Sequence, residues 1–107
     1  MREMDLVWAM VLFDLPNVTT AQKKAHVRFR NALLHRGFIR LQWSVYARCY
    51  TSERAAAAEK SQIERTVPAG GRVRMIAVTD KQFERMICID GAARIRPEKV
   101  IDQVIVV

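Results

Sequence analysis

Residues 6–13, Leu-Val-Trp-Ala-Met-Val-Leu-Phe, are apolar without a break, with Asp5 before them and Asp14 and Pro16 after them. The run is far shorter than the roughly 18 to 20 residues a membrane-spanning helix needs. Bounded by charge and proline, it predicts a central strand covered on at least one face. Its last neighbour, Asp14, has two readings. It is either a turn former accepting N–H bonds from the Pro16–Thr19 turn, or a hard oxygen ligand for a metal.

Downstream, Thr19-Thr20-Ala21-Gln22 carries a capping-box signature for a helix start, and Ala21, Ala25, Phe29, Ala32 and Leu33 recur at helical spacing up to Gly37. Lys24, Arg28, Asn31 and His35 form a separate stripe on that helix. Residues 38–50 alternate. Ile39, Leu41, Trp43, Val45, Ala47 and Cys49 are expected on a core face, and Arg40, Gln42, Ser44, Tyr46 and Arg48 on a cationic one. So long a run predicts a kink or tight turn near Gln42–Ser44. A second helix is expected from Thr51-Ser52-Glu53, ending by Val67, with Ala55–Ala58 packing close to a sheet. After the turn at Ala69-Gly70-Gly71, Arg72–Thr79 predicts a further strand. Beyond it lie a short apolar piece (Met86–Ile89), a basic loop through Arg94 and Arg96, and an apolar Val100–Val107 tail.

This order predicts an α+β, ferredoxin-like βαββαβ sandwich with an extra C-terminal strand. One domain is expected over residues 1–107, with its core at about 5–90. An antiparallel sheet with helices on one face needs cover on the other, and a homodimer through that face is the simplest provision. The extension 91–107 is expected in dimer or partner contacts, its terminal "VIVV" adding to the partner's sheet edge.

Charge narrows the function. The 107 residues hold 18 Lys plus Arg against 11 Asp plus Glu, a formal net charge of +7. No acid occurs between Asp14 and Glu53, an interval containing Lys23, Lys24, Arg28, Arg30, Arg36, Arg40 and Arg48, with His26 and His35. A field of one sign over so long a stretch points to a polyanionic partner ahead of a merely solvated face. Phosphates held through Lys23, Lys24, Arg28, Arg30, Arg40 and Arg48, without base readout, fit that pattern. Cys49 and Cys88 stand far apart without a nearby histidine, so they read as reduced thiols rather than zinc ligands. The N-terminus lacks the layout of a signal peptide, and a cytoplasmic protein is expected.

The pieces Phe13-Asp14-Leu15-Pro16, Arg28-Phe29-Arg30, Gln42-Trp43-Ser44-Val45 and Thr79-Asp80-Lys81-Gln82-Phe83, in this order and at these separations, resemble the "Cas-two" family of CRISPR-associated adaptation proteins. That is the small subunit accompanying the CRISPR integrase, here most like the form of compact type II systems. The resemblance covers roughly residues 4 to 90. It implies a ferredoxin-like homodimer that bridges integrase dimers and carries the captured duplex DNA (protospacer). It also implies a metal-dependent endonuclease acting on RNA or DNA, with Asp14 matching the family's strand-end aspartate. Asp14 is thus the candidate catalytic residue and metal ligand, with Mg2+ shared between Asp14 and its symmetry mate across the dimer. No other general base stands out. His26 and His35 read as phosphate contacts or surface residues, Asp80 lies at another strand end, and Ser44 and Tyr46 on the cationic strand face could assist but carry no mark of it. Two alternatives remain. One is a stand-alone Mg-dependent endoribonuclease or endonuclease, and the other a small-molecule-sensing ferredoxin-like module, for which only Gly70-Gly71 offers a ligand loop.

Overall fold

The computed structural model describes residues 5–91 and 93–95. The apolar run is strand β1 (Val7–Asp14), packed on its helix face and, at its Trp8 end, on the other. Ala9, Val11 and Phe13 enter a cluster with Phe29, Leu33, Phe38, Tyr46, Tyr50, Ala56 and Ile63. Trp8, on the opposite face, enters a second cluster with Ala47, Cys49 and Phe83. Around β1 stand α1 (Thr20–His35), β2 (Ile39–Gln42), β3 (Val45–Tyr50), α2 (Glu53–Glu64) and β4 (Arg72–Thr79). The sheet order β2-β3-β1-β4 is antiparallel at every junction, which is the ferredoxin-like plan. A short helix α3 (Asp80–Glu84) and a separate hairpin of β5 (Cys88–Asp90) and β6 (Ala93–Ile95) follow. The basic segment expected as a loop therefore begins as a strand at Arg94. Arg96 and the apolar tail Val100–Val107 lie outside the described residues.

Local chemistry sets the helix limits. The Thr19 hydroxyl accepts from the Gln22 N–H at 3.1 Å, and the Gln22 amide oxygen accepts from the Val18 and Thr19 N–H groups at 3.0 Å each. α1 ends where Gly37 takes φ +86° and the N–H groups of Gly37 and Phe38 bond the carbonyls of Leu34 and Leu33. This Schellman closure joins two core residues, Phe38 and Leu33. Thr79 and Gln82 repeat the capping box at α3.

Residues 38–50 form two strands joined at Trp43–Ser44, as the alternation predicts, with a register shift between Arg40 and Gln42. Their faces differ from expectation. β3 is an interior strand, so the face carrying Tyr46 and Tyr50 packs under the helices, while Ala47 and Cys49 join Ile39 and Leu41 in the second cluster. Burial pushes the Cys49 thiol up to about 11, and Cys88 is free and half-buried. Trp43, expected in the core, stands 54% exposed in the turn.

Arg48 is committed inside the fold. It donates to the Arg36 carbonyl, lies 4.7 Å over the Tyr50 ring, and comes within 3.9 Å of Glu59. Arg36 forks onto the same buried carboxylate at 2.6 and 2.8 Å. This cluster ties the end of α1 to α2 and β3, and the Arg36 hydrogen bonds hold the Glu59 carboxyl below the usual carboxylate range. His26 is not at the surface either. It is 6% exposed and sits edge-on to Phe13 at 6.0 Å and Trp43 at 5.8 Å. Its Nε2 has no hydrogen-bond partner among the described residues. Burial, then the Arg30 charge, lowers its pKa.

Both shifts predict acid lability. The unfolded chain takes up the histidine proton first as pH falls below the ordinary value of 6.5, so stability declines there. Glu59, depressed in the folded state, contributes fully above the ordinary carboxylate range and loses its contribution as pH falls through its folded pKa. Chemical denaturation followed by circular dichroism across pH is expected to show both declines. His26→Phe should remove the upper one. Glu59→Gln should remove the lower one and cost roughly 2 to 3 kcal/mol at neutral pH, as for charge-assisted bonds lost from a largely buried site.

Candidate nucleic-acid interface

Strand parity decides where Asp14 points. In the β1–β4 register Trp8 stands opposite Val78, Met10 opposite Ile76, Leu12 opposite Arg74 and Asp14 opposite Arg72. These pairs share the face turned away from α1 and α2. Asp14, Arg72 and Arg74 therefore gather at one end of that face. With Leu12, Phe13, Ser44 and Val45 they line a shallow pocket of about 280 Å³. The turn after β1 fits closely against the start of β4. A Cβ on Gly71 would come 2.6 Å from Leu15 Cδ2, and one on Gly70 would come 3.2 Å from Pro16 Cγ. The two glycines thus serve a close backbone approach rather than a ligand loop.

Asp14 is exposed, and its carboxylate makes no hydrogen bond or ion pair among the described residues. The turn it was a candidate to hold is held otherwise, since Gln22 takes the Val18 and Thr19 N–H groups. Ser44 lines the Asp14 pocket. Tyr46 is 1% exposed and stacks on Phe13 on the helix side of the sheet, out of reach of this pocket. Asp80, the other strand-end aspartate, accepts the Trp8 indole N–H at 2.8 Å and has a structural role.

Among the described residues Asp14 is the only acid lining the pocket, and no group of three or more His, Cys, Asp and Glu could hold an ion. Mg2+ favours several hard oxygens in near-octahedral array, and the described lining of this pocket supplies one carboxylate toward such a set. Arg72 and Arg74 are additions to the sequence-derived site. Their signal lay in the alternation Arg72-Val73-Arg74-Met75, which sets both on one face of a strand, but the pairing with β1 was needed to bring them to Asp14.

The basic residues fall into three sets. Lys23, Lys24 and Arg28 are exposed on α1 and, with Thr20 and Val27, line one open groove. Their side chains make no ion pair among the described residues. Arg30 from α1 and Arg40 from β2 each lie over Trp43, at 5.2 and 4.8 Å from its ring centroid. Arg48, grouped with them in the sequence, is turned inward as described. Among the described residues no helix is long and apolar enough to cross a membrane.

The family described as CRISPR associated protein Cas2 matches residues 7–86. A CRISPR-associated endoribonuclease Cas2 of Paracidovorax avenae is 46% identical over 98 residues, 92% of this chain and 91% of that protein. Proteins of the same description from Parvibaculum lavamentivorans and Streptococcus mutans are 40% identical over 88 residues and 37% over 82. The first covers 82% of this chain and 87% of its own, the second 77% of each. With its ferredoxin-like sheet and this extent of similarity, the chain belongs to the Cas2 family of CRISPR-associated proteins.

Proposed function

We propose that the protein acts in CRISPR spacer acquisition as a homodimeric, cytoplasmic scaffold that holds duplex DNA by its phosphates and bridges integrase dimers. The observation carrying this reading is the state of the basic side chains. Lys23, Lys24, Arg28 and Arg40 are exposed and have no acid paired to them among the described residues. Unpaired surface cations on a rigid helix and strand suit a stiff polyanion. They contact phosphate rather than base edges, so binding is indifferent to sequence. The homodimer is supported by the open sheet face, where Leu12 and Ile76 are 36% and 55% exposed beside Met10 and Val78. A second copy covers this face, with residues 91–107 assigned to dimer or partner contacts.

A second reading, metal-dependent cleavage of RNA or DNA, rests on the unpartnered Asp14 carboxylate and on the endoribonuclease description of the relatives. In the homodimer Asp14 and its symmetry mate would hold Mg2+ between them. When bound, such an ion neutralises phosphate charge and activates water. Arg72 and Arg74, lining the same pocket, bind and orient the phosphate, and Ser44 bounds the pocket on the β2–β3 side. The small-molecule module has no support of this kind.

Duplex affinity measured against salt tests the scaffold. Replacing Lys23, Lys24 and Arg28 by glutamine should reduce the logarithmic salt slope by roughly 0.9 for each phosphate no longer neutralised. Binding insensitive to salt, or a lone monomer in sedimentation at micromolar concentration, would sink the reading. Asp14→Ala should leave duplex affinity intact and shift stability by no more than about 0.5 kcal/mol, as for an exposed side chain without partners. It should abolish cleavage as completely as a chelator does, and cleavage surviving either treatment removes the nuclease reading.

A further inference from the structure

We infer that Arg30, Trp43 and Arg40 form a single phosphate clamp, in which the indole is a positioning residue that holds two guanidinium groups ready for one stretch of nucleic-acid backbone. The inference rests on the duplex-binding reading and names the device by which that surface grips.

A tryptophan 54% exposed at a hairpin turn needs a reason, because the fold buries its other indole, Trp8, completely. The neighbours supply one. Arg30 and Arg40 come from different elements, α1 and β2. Each lies over the Trp43 ring, at 5.2 and 4.8 Å, where the indole π-system attracts a cation. Neither guanidinium is paired with an acid among the described residues, and guanidinium N–H groups match phosphate in a bidentate manner.

Arg48 provides an internal contrast. It too lies over an aromatic ring, Tyr50 at 4.7 Å, but its N–H groups are engaged by the Arg36 carbonyl and the nearby Glu59 carboxylate. That is a stacked arginine in a structural role, with its acid supplied. Arg30 and Arg40 have the ring contact and no acid among the described residues, so their N–H groups suit an anion brought by a partner. His26 sits edge-on to Trp43 at 5.8 Å, and burial, then the Arg30 charge, disfavours a further positive charge there.

The test measures binding of a short duplex of arbitrary sequence by fluorescence anisotropy across a salt series. It compares wild type, Trp43→Ala, Trp43→Phe, the Arg30→Ala/Arg40→Ala double variant and the triple variant, all checked for folding by thermal melting. The double variant should lose about 1.8 from the salt slope, as for two phosphates left without their cations. Trp43→Ala should weaken wild-type binding roughly three- to tenfold, the size expected when contacting groups stop supporting one another. Trp43→Phe should retain most of the affinity, and Trp43→Ala should cost nothing further once both arginines are gone. In wild type the duplex should shield Trp43 from acrylamide, whereas Trp8 is shielded from the start. An undiminished loss in the arginine-free background would mean that the indole touches nucleic acid directly, and would overturn the positioning role. Trp43→Ala binding like wild type would overturn it too. Steep, salt-sensitive binding untouched by any of these variants defeats the clamp and leaves the scaffold standing, whereas wild type failing to bind duplex defeats both.

Discussion

The packing of β1, along its helix face and at the Trp8 end of its other face, governs the rest of the molecule. A one-residue slip would misplace both sets of side chains at once. The register is pinned at one end. Trp8 stacks on Phe83 with ring centroids 3.9 Å apart and donates its indole N–H to Asp80, while the Asp80 N–H bonds the Leu6 carbonyl at 3.0 Å. With Trp8 fixed on the open face, alternation leaves Asp14 no other face to occupy. The strand's hydrophobic demands therefore place the carboxylate, which itself contributes no bond among the described residues to the fold that holds it.

The cations are sorted by a single acid. Every arginine between Asp14 and Glu53 lacks a local carboxylate, but α2 brings Glu59 to two of them, Arg36 and Arg48. Those two become structural, joining the α1 C-terminus to α2 and β3. Gly37 permits this, since a Cβ there would meet Arg48 Nε at 3.3 Å. The remaining cations of the interval are left facing outward or stacked on Trp43, and the acid-free stretch of sequence thus becomes a cationic surface from which its two inward members have been withdrawn.

This sorting marks the limit of what the sequence discloses. The strand and helix order was legible because periodicity and capping residues are local signals, and α3 was legible in principle from the same Thr-x-x-Gln pattern that starts α1. Asp14 was legible because the end of an apolar strand is a defined place. Arg48, His26 and Trp43 were not. Alternation gives a residue's face but not what covers it, and β3, as an interior strand, is covered twice. His26 lies on the side of α1 that meets Phe13, so its burial depends on a contact across the core. Trp43 belonged to an unbroken alternation and left it only because the chain turns there. Arg72 and Arg74 needed the pairing of β4 with β1, a contact distant in sequence.

The same geometry separates two kinds of chemistry. Arg40 pairs with Tyr46 and so lies on the helix side of the sheet, where Arg30 also lies over Trp43 and where α1 carries Lys23, Lys24 and Arg28. Asp14, Arg72 and Arg74 lie on the opposite side. No described side chain takes part in both groups, and the sheet itself stands between them. A duplex held along the helix side does not need the carboxylate, and a phosphate brought to the carboxylate does not need the clamp. Scaffolding and cleavage, as proposed, rest on different faces of one sheet, so either can weaken in a member of this family without the other disappearing.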